Sequence, residues 1–166
     1  MISKKMQNSL NAQINAEIYS AYLYLAMSAD LNSKNLPGFA NWMRIQAQEE
    51  MGHAMKIYAF IEERLGRVVL KAIAEPQKDF ASALSIFEQA LKHEQKVTGL
   101  INKLVDQAIE ENDHATHGFL QWFVDEQVEE EATADAIVQK LKMTKDMPSG
   151  LFMLDKELAQ RAATKE

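Results

Sequence analysis

Six residues of this 166-residue sequence have types and spacing that could do chemistry: Glu17, the pair Glu50-x-x-His53, Glu94, and the pair Gln127-x-x-Glu130. Each interrupts an apolar stripe near its middle. The first stripe reads Leu10, Ile14, Glu17, Ala21 and Tyr24. The second reads Met43, Ala47, Glu50, Ala54, Ile57 and Ile61, with His53 one turn from Glu50. The third is Leu84, Phe87, Leu91, Glu94, Thr98, Ile101 and Val105, and the fourth Leu120, Phe123, Gln127, Glu130, Ala134, Ile137 and Leu141. Steps of three and four residues keep one face of a helix turned inward. Burying a carboxylate without a partner costs several kcal/mol, and four carboxylates meeting at one level also repel one another. Cations at that level relieve both penalties. Carboxylate oxygens with a single imidazole suit Fe(II) and Fe(III), with Mn(II) and Zn(II) as competitors, and open coordination positions admit oxygen.

The elements that must bring these residues together follow from periodicity and punctuation. The sequence predicts five helices, over about Ser3 to Asn32, Leu36 to Leu65, Ala81 to Glu110, Asp113 to Leu141, and a short Leu151 to Ala162. The turns at Ser33–Leu36 and Asn112 are short, so each flanking pair of helices forms an antiparallel hairpin. Between the hairpins lies Gly66 to Phe80, long for a connection inside a compact bundle. A helix of about 28 residues spans roughly 42 Å, and fifteen extended residues at about 3.3 Å each can return along it. The expected fold is all-α: one domain over 1–166, a four-helix bundle over about 3–144 with a long crossover between helices two and three, and a short fifth helix at about 149–162. Leu151, Leu154 and Leu158 on one face of that fifth helix call for an apolar partner. The nine Met residues are expected as core filler.

Composition excludes several functions. Eighteen basic residues against twenty-four acidic ones give a net charge of −6, which disfavours nucleic acid and anionic membrane as partners and favours cations. The absence of Cys removes disulfides, thiol catalysis and Cys-based zinc or iron–sulfur sites. Neither a signal-peptide core nor a membrane-spanning run is present, so a soluble cytoplasmic protein is expected.

Long stretches of the chain resemble the bacterial non-haem ferritins: Asn15–Leu25 (NAEIYSAYLYL), Gln48–Ala54 (QEEMGHA), His93-Glu94, Leu120–Glu131 (LQWFVDEQVEEE), and the C-terminal Leu151–Leu158 (LFMLDKEL). The resemblance implies an iron-storage subunit that oxidises Fe(II) with O2 or H2O2 at a di-iron site inside its own bundle. Glu17, Glu50 and His53 would hold the first iron. Glu94 and Glu130 would hold the second, with Glu50 bridging and Gln127 nearby. A third iron site would use Glu49, Glu126 and Glu129, with Glu130 shared, and Tyr24 would be a redox-active neighbour. Oxygen takes one electron from each iron, and ferric product moves inward to a mineral. The resemblance further implies a homo-oligomeric shell of twenty-four subunits, with the fifth helices meeting at four-fold axes, and no haem. Bacterioferritins carry Glu-x-x-His in both pairs, so Gln127-x-x-Glu130 separates this chain from them. A di-iron oxidase or peroxidase without a storage role would share the same core residues.

Overall fold

In a computed structural model, residues 1–144 and 147–163 are described; the last residues of the expected domain, 164–166, lie outside them. Five helices run in order: α1 Lys4–Ser33, α2 Pro37–Glu63, α3 Ala83–Glu110, α4 His114–Met143 and α5 Pro148–Leu158. Their starts follow local chemistry. The Ser3 hydroxyl accepts from Met6 N, Ser82 and Ser85 form a reciprocal capping box, and the Asp113 carboxylate accepts from Thr116 N, so each satisfies amides that the helix leaves unpaired. The ends of α1, α2 and α3 turn through left-handed residues, Asn35, Leu65 and Asn112. Each is closed by a bond from the following amide back to the helix: Leu36 to Leu31 O, Gly66 to Ile61 O and Asp113 to Ala108 O. The glycine after α2 therefore sits one residue beyond the strained position, which falls on Leu65 at φ 57°.

The helices α1 and α2 pack along each other, as do α3 and α4, while α5 seats on α2. Residues between α2 and α3 form the expected crossover, and α1 holds it along its length. Gln7 Oε1 accepts from Arg67 N at 2.9 Å, and Asn11 donates to Arg67 O and accepts from Val69 N. Further on, Asn15 donates to Ala72 O and Lys34 to Phe80 O. Amides at i, i+4 and i+8 of α1 thus satisfy a backbone that has no ladder of its own.

The N-terminus of α2 starts at Pro37 without a side-chain cap from its own residues. Asp155 of α5 supplies it: one carboxylate oxygen accepts from Gly38 N at 2.8 Å and Phe39 N at 3.1 Å. A Cβ on Gly38 would lie 1.7 Å from Asp155 O, so only glycine permits this close seat. Leu154 and Leu158 are buried in the same core as Phe39. The apolar partner of that face of α5 is therefore α2 of the same chain, while Phe152 and Met153 on the other face stay exposed.

The core divides into two apolar clusters. One gathers Tyr24, Leu31, Phe39, Phe87, Ile137 and Leu154, the other Leu10, Ile57, Ile61, Ile101, Leu120 and Phe123. Buried polar residues of all four long helices lie between them in sequence: Glu17, Glu50, His53, Glu94, Gln127 and Glu130. Every residue predicted for the stripes of α1, α2 and α4 is buried. The α3 stripe is rotated from the expected one. Leu84, Leu91, Thr98 and Val105 are half-buried, and the inward face is Ile86, Phe87, Ala90, Glu94, Val97, Ile101, Leu104 and Ala108. Ala90 and Ala108 share that buried face with Ile86, Phe87, Ile101 and Leu104, and the other leucines fall to the flanks. The methionines also differ from expectation: Met6, Met27 and Met43 are buried, and the other six are exposed. No helix among the described residues is long and apolar enough to cross a membrane.

Candidate metal centre

The α1/α2 hairpin supplies the first group. Glu17, Glu50 and His53 offer ligand atoms that lie within 4.8 Å of one another, and all three residues are buried. His53 Nδ1 stands 3.3 Å from Glu50 Oε2, as expected for an i, i+3 pair on one helix face. Gln13, one turn before Glu17, donates to its Oε1 at 2.7 Å. Glu17 Oε2 and His53 Nε2 are buried with no hydrogen-bond partner among the described residues. Orphaned polar atoms of this kind are costly and uncommon in a folded interior. A cation bound among Glu17, Glu50 and His53 would satisfy the Glu17 oxygen, so this donor set fits a metal ion.

The α3/α4 hairpin supplies a second group with a different character. Glu94 Oε1 accepts from the Tyr24 hydroxyl, and its Oε2 accepts from Gln127 Nε2 at 3.2 Å. Glu130 Oε2 accepts from Gln46 Nε2 at 2.6 Å. Here the carboxylates already have donors. Glu130 also joins His53 and Glu126 in a second set of ligand atoms within 4.8 Å, with His53 Nε2 standing 4.0 Å from Glu126 Oε1.

Burial dominates the electrostatics. It pushes the Glu17 carboxyl well above the usual range, reinforced by Glu50, and does the same to Glu50, reinforced by Glu94 and Glu130. Glu94 is raised mainly by burial, against hydrogen bonds from Tyr24 and Gln127. Burial and then Glu94 lift Glu130 to about 8. The Tyr24 phenol is raised by burial and by Glu94. Without metal, these acids cannot all be charged at neutral pH.

Of the residues expected from sequence, the structure gathers Glu17, Glu50 and His53, and separately His53, Glu126 and Glu130. Glu94 and Gln127 bond to each other across α3 and α4. Glu49 pairs with Arg161 instead of joining a ligand set, and Glu129 is exposed and joins none among the described residues. Gln13 and Gln46 escaped the sequence reading although each precedes its glutamate by one helical turn. That repeated Gln-x-x-x-Glu spacing was the signal available. His53 is further fixed by ring contacts with Trp122 and Phe123 at 5.4 and 6.1 Å.

Known proteins resemble this chain over nearly its whole length. Residues 7–144 match the family described as Ferritin-like domain. A bacterial non-heme ferritin of Bacteroides fragilis is 45% identical over 161 residues, covering 97% of this chain and 100% of that protein. One from Staphylococcus aureus is 39% identical over the full length of both. Among solved structures, a closed form of the Archaeoglobus fulgidus ferritin engineered by site-directed mutagenesis superposes with a TM-score of 0.98 at 53% identity, covering 99% of this chain and 100% of that one. The matched residues span all four long helices. The chain therefore belongs to the ferritin family of iron-storage proteins, beside its bacterial non-haem members.

Proposed function

We propose that this ferritin subunit oxidises Fe(II) at the buried site and passes Fe(III) inward, to a cavity that twenty-four copies of the chain enclose in the cytoplasm. The observation that carries the reading is the buried trio Glu17, Glu50 and His53, whose ligand atoms lie within 4.8 Å of one another. Fe(II) enters as substrate and displaces the protons that burial keeps on the acids. Glu17, Glu50 and His53 take the first ion; Glu94 and Glu130, with a share of Glu50, take the second. Each ion gives one electron to O2, and two protons complete the balance: two Fe(II), O2 and two H+ yield two Fe(III) and H2O2. Peroxide can serve as oxidant in turn. Tyr24 stands at Glu94 as a neighbour able to lend an electron. Glu126, Glu129 and Glu49, with Glu130 shared, form the inner acids through which a third ion and the product leave.

Anaerobic Fe(II) titration followed by an oxygen pulse, with particle mass measured alongside, tests the proposal. Tight uptake of about two or three ions per chain, then loading far beyond that in a large particle, is the expected result. Loading that halts near two per chain would make this a di-iron oxidase without storage. Absence of tight uptake would remove the site altogether.

A further inference from the structure

A cation already sits at the inner edge of the acid cluster. Beyond α5, the chain turns back so that the Arg161 carbonyl accepts from Asn41 Nδ2 at 3.1 Å, and its guanidinium lies 4.3 Å over the Trp42 ring. One arm of the guanidinium, Nη2, donates to Glu49 Oε2; the other, Nη1, donates to Gln46 Oε1 at 2.9 Å. Gln46 in turn donates from Nε2 to Glu130 Oε2 at 2.6 Å and to Glu50 Oε1 at 3.5 Å. The direction of this relay is forced. Arginine only donates, so the Gln46 amide must turn its oxygen to Arg161, which leaves its nitrogen facing the acids. With side-chain exposures of 21% and 14%, Arg161 and Glu49 form a half-buried pair that water screens incompletely.

We propose that Arg161 is a positioning residue acting as a tethered cation at the inner acid cluster: it holds Glu49 and, through Gln46, orients Glu130, and a metal ion entering that cluster must displace it. The inference rests on the function proposed above, which makes Glu49 and Glu130 ligands. A monovalent guanidinium on a short tether lowers the affinity of the cluster without closing it. An arriving divalent ion still wins, and once it moves inward Arg161 returns and restores the carboxylates. The cluster then behaves as a station through which ions pass, with the reset built into the chain's own C-terminal segment.

The test is anaerobic Co(II) titration, read by its visible absorption, on assembled shells of the parent, Arg161→Gln, Arg161→Met, Arg161→Lys and the Arg161→Gln/Glu49→Gln double variant. Methionine keeps the stem over Trp42 while removing the charge, so either neutral variant that assembles decides the question. Expected is a weakest Co(II) site tightened by about threefold to tenfold in the neutral variants, the fold-change of a half-buried ion pair. Lysine should stay near the parent, and the gain should vanish in the double variant. Unchanged or weaker affinity in the neutral variants, a mere fall in melting temperature, or a gain that survives Glu49→Gln overturns the inference alone. A parent that takes up no Co(II) at the buried pair overturns the proposed function and this inference together.

Discussion

The two hairpins contribute carboxylates to one layer, yet they prepare them differently. On the α1/α2 side, Glu17 and His53 each keep a buried atom with no hydrogen-bond partner. On the α3/α4 side, Glu94 is held by Tyr24 and Gln127, and Glu130 by Gln46. An ion arriving at the first half meets a Glu17 oxygen that no donor holds, although Gln13 holds the other; an ion arriving at the second half meets carboxylates held by Tyr24, Gln127 and Gln46. Equal numbers of acids therefore need not mean equal affinity. Under the function proposed above, the first hairpin should therefore capture iron more tightly and the second release it more readily.

The largest expected effect is on capture. Glu50→Ala or His53→Ala should slow Fe(II) oxidation by on the order of a hundredfold or more, since losing even an outer-shell partner of a metal ligand costs 10–100-fold. Assembly should persist, because the apolar clusters on either side of the layer are untouched. Glu94→Gln should slow oxidation less. Stopped-flow oxidation of the three variants checks this, and equal losses at Glu50 and Glu94 would erase the distinction between the hairpins.

A stability effect comes next. Burial and Glu94 raise Glu130 to about 8 in the folded, metal-free chain, above the ordinary value of 4.5. A group whose folded pKa is raised binds more protons in the native state, so its contribution is complete below about 4.5 and is lost as pH rises through about 8. Glu17, Glu50 and Glu94 move in the same direction. The metal-free protein should therefore lose stability, on the order of a few kcal/mol, between pH 5 and pH 9. Glu130→Gln should flatten that slope. Thermal melts of chelator-treated protein across this range measure it; a melting temperature that rises toward pH 9 contradicts the electrostatic account.

Much of this was legible in the sequence because burying acids is costly. An interrupted apolar stripe is conspicuous, and in α1, α2 and α4 every stripe residue is buried where the spacing puts it. The crossover was legible from length alone. The α3 face was misjudged because leucines outweigh alanines in an apolar pattern, whereas the bundle buries Ala90 and Ala108 and leaves Leu84 and Leu91 at the edge. The left-handed turn after α2 fell on Leu65 because turn geometry, not the nearby glycine, sets which residue takes positive φ. Contacts that span the chain left no local trace. Asp155 caps α2 from 117 residues away, and Arg161 reaches Glu49 from 112.

Gln127 offers the finest test of the contrast between capture and release. It stands where a second Glu-x-x-His pair would place its glutamate, with Glu130 in place of the histidine, and it donates to Glu94 Oε2 at 3.2 Å and to Glu94 O at 3.2 Å. The neutral amide thus spends its donors on the Glu94 carboxylate, the Glu94 carbonyl and the Thr98 hydroxyl, and an amide binds iron far more weakly than imidazole would. Weak ligation favours release of oxidised iron, which storage requires, whereas a cycling di-iron cofactor must retain its metals. Gln127→His exchanges that donor for a strong ligand beside Glu94 and Glu130. It should raise retention of the second metal by roughly tenfold, at the lower end of what changes around metal ligands produce, and slow transfer to the cavity accordingly. The first metal, which the proposed function assigns to Glu17, Glu50 and His53, should be unaffected. Multiple-turnover oxidation beside metal occupancy after gel filtration separates the two. If the variant clears its second iron as fast as the parent, ligand identity at this position does not govern release, and the hydrogen bonds that Tyr24 and Gln46 make to Glu94 and Glu130 must carry the difference between the hairpins.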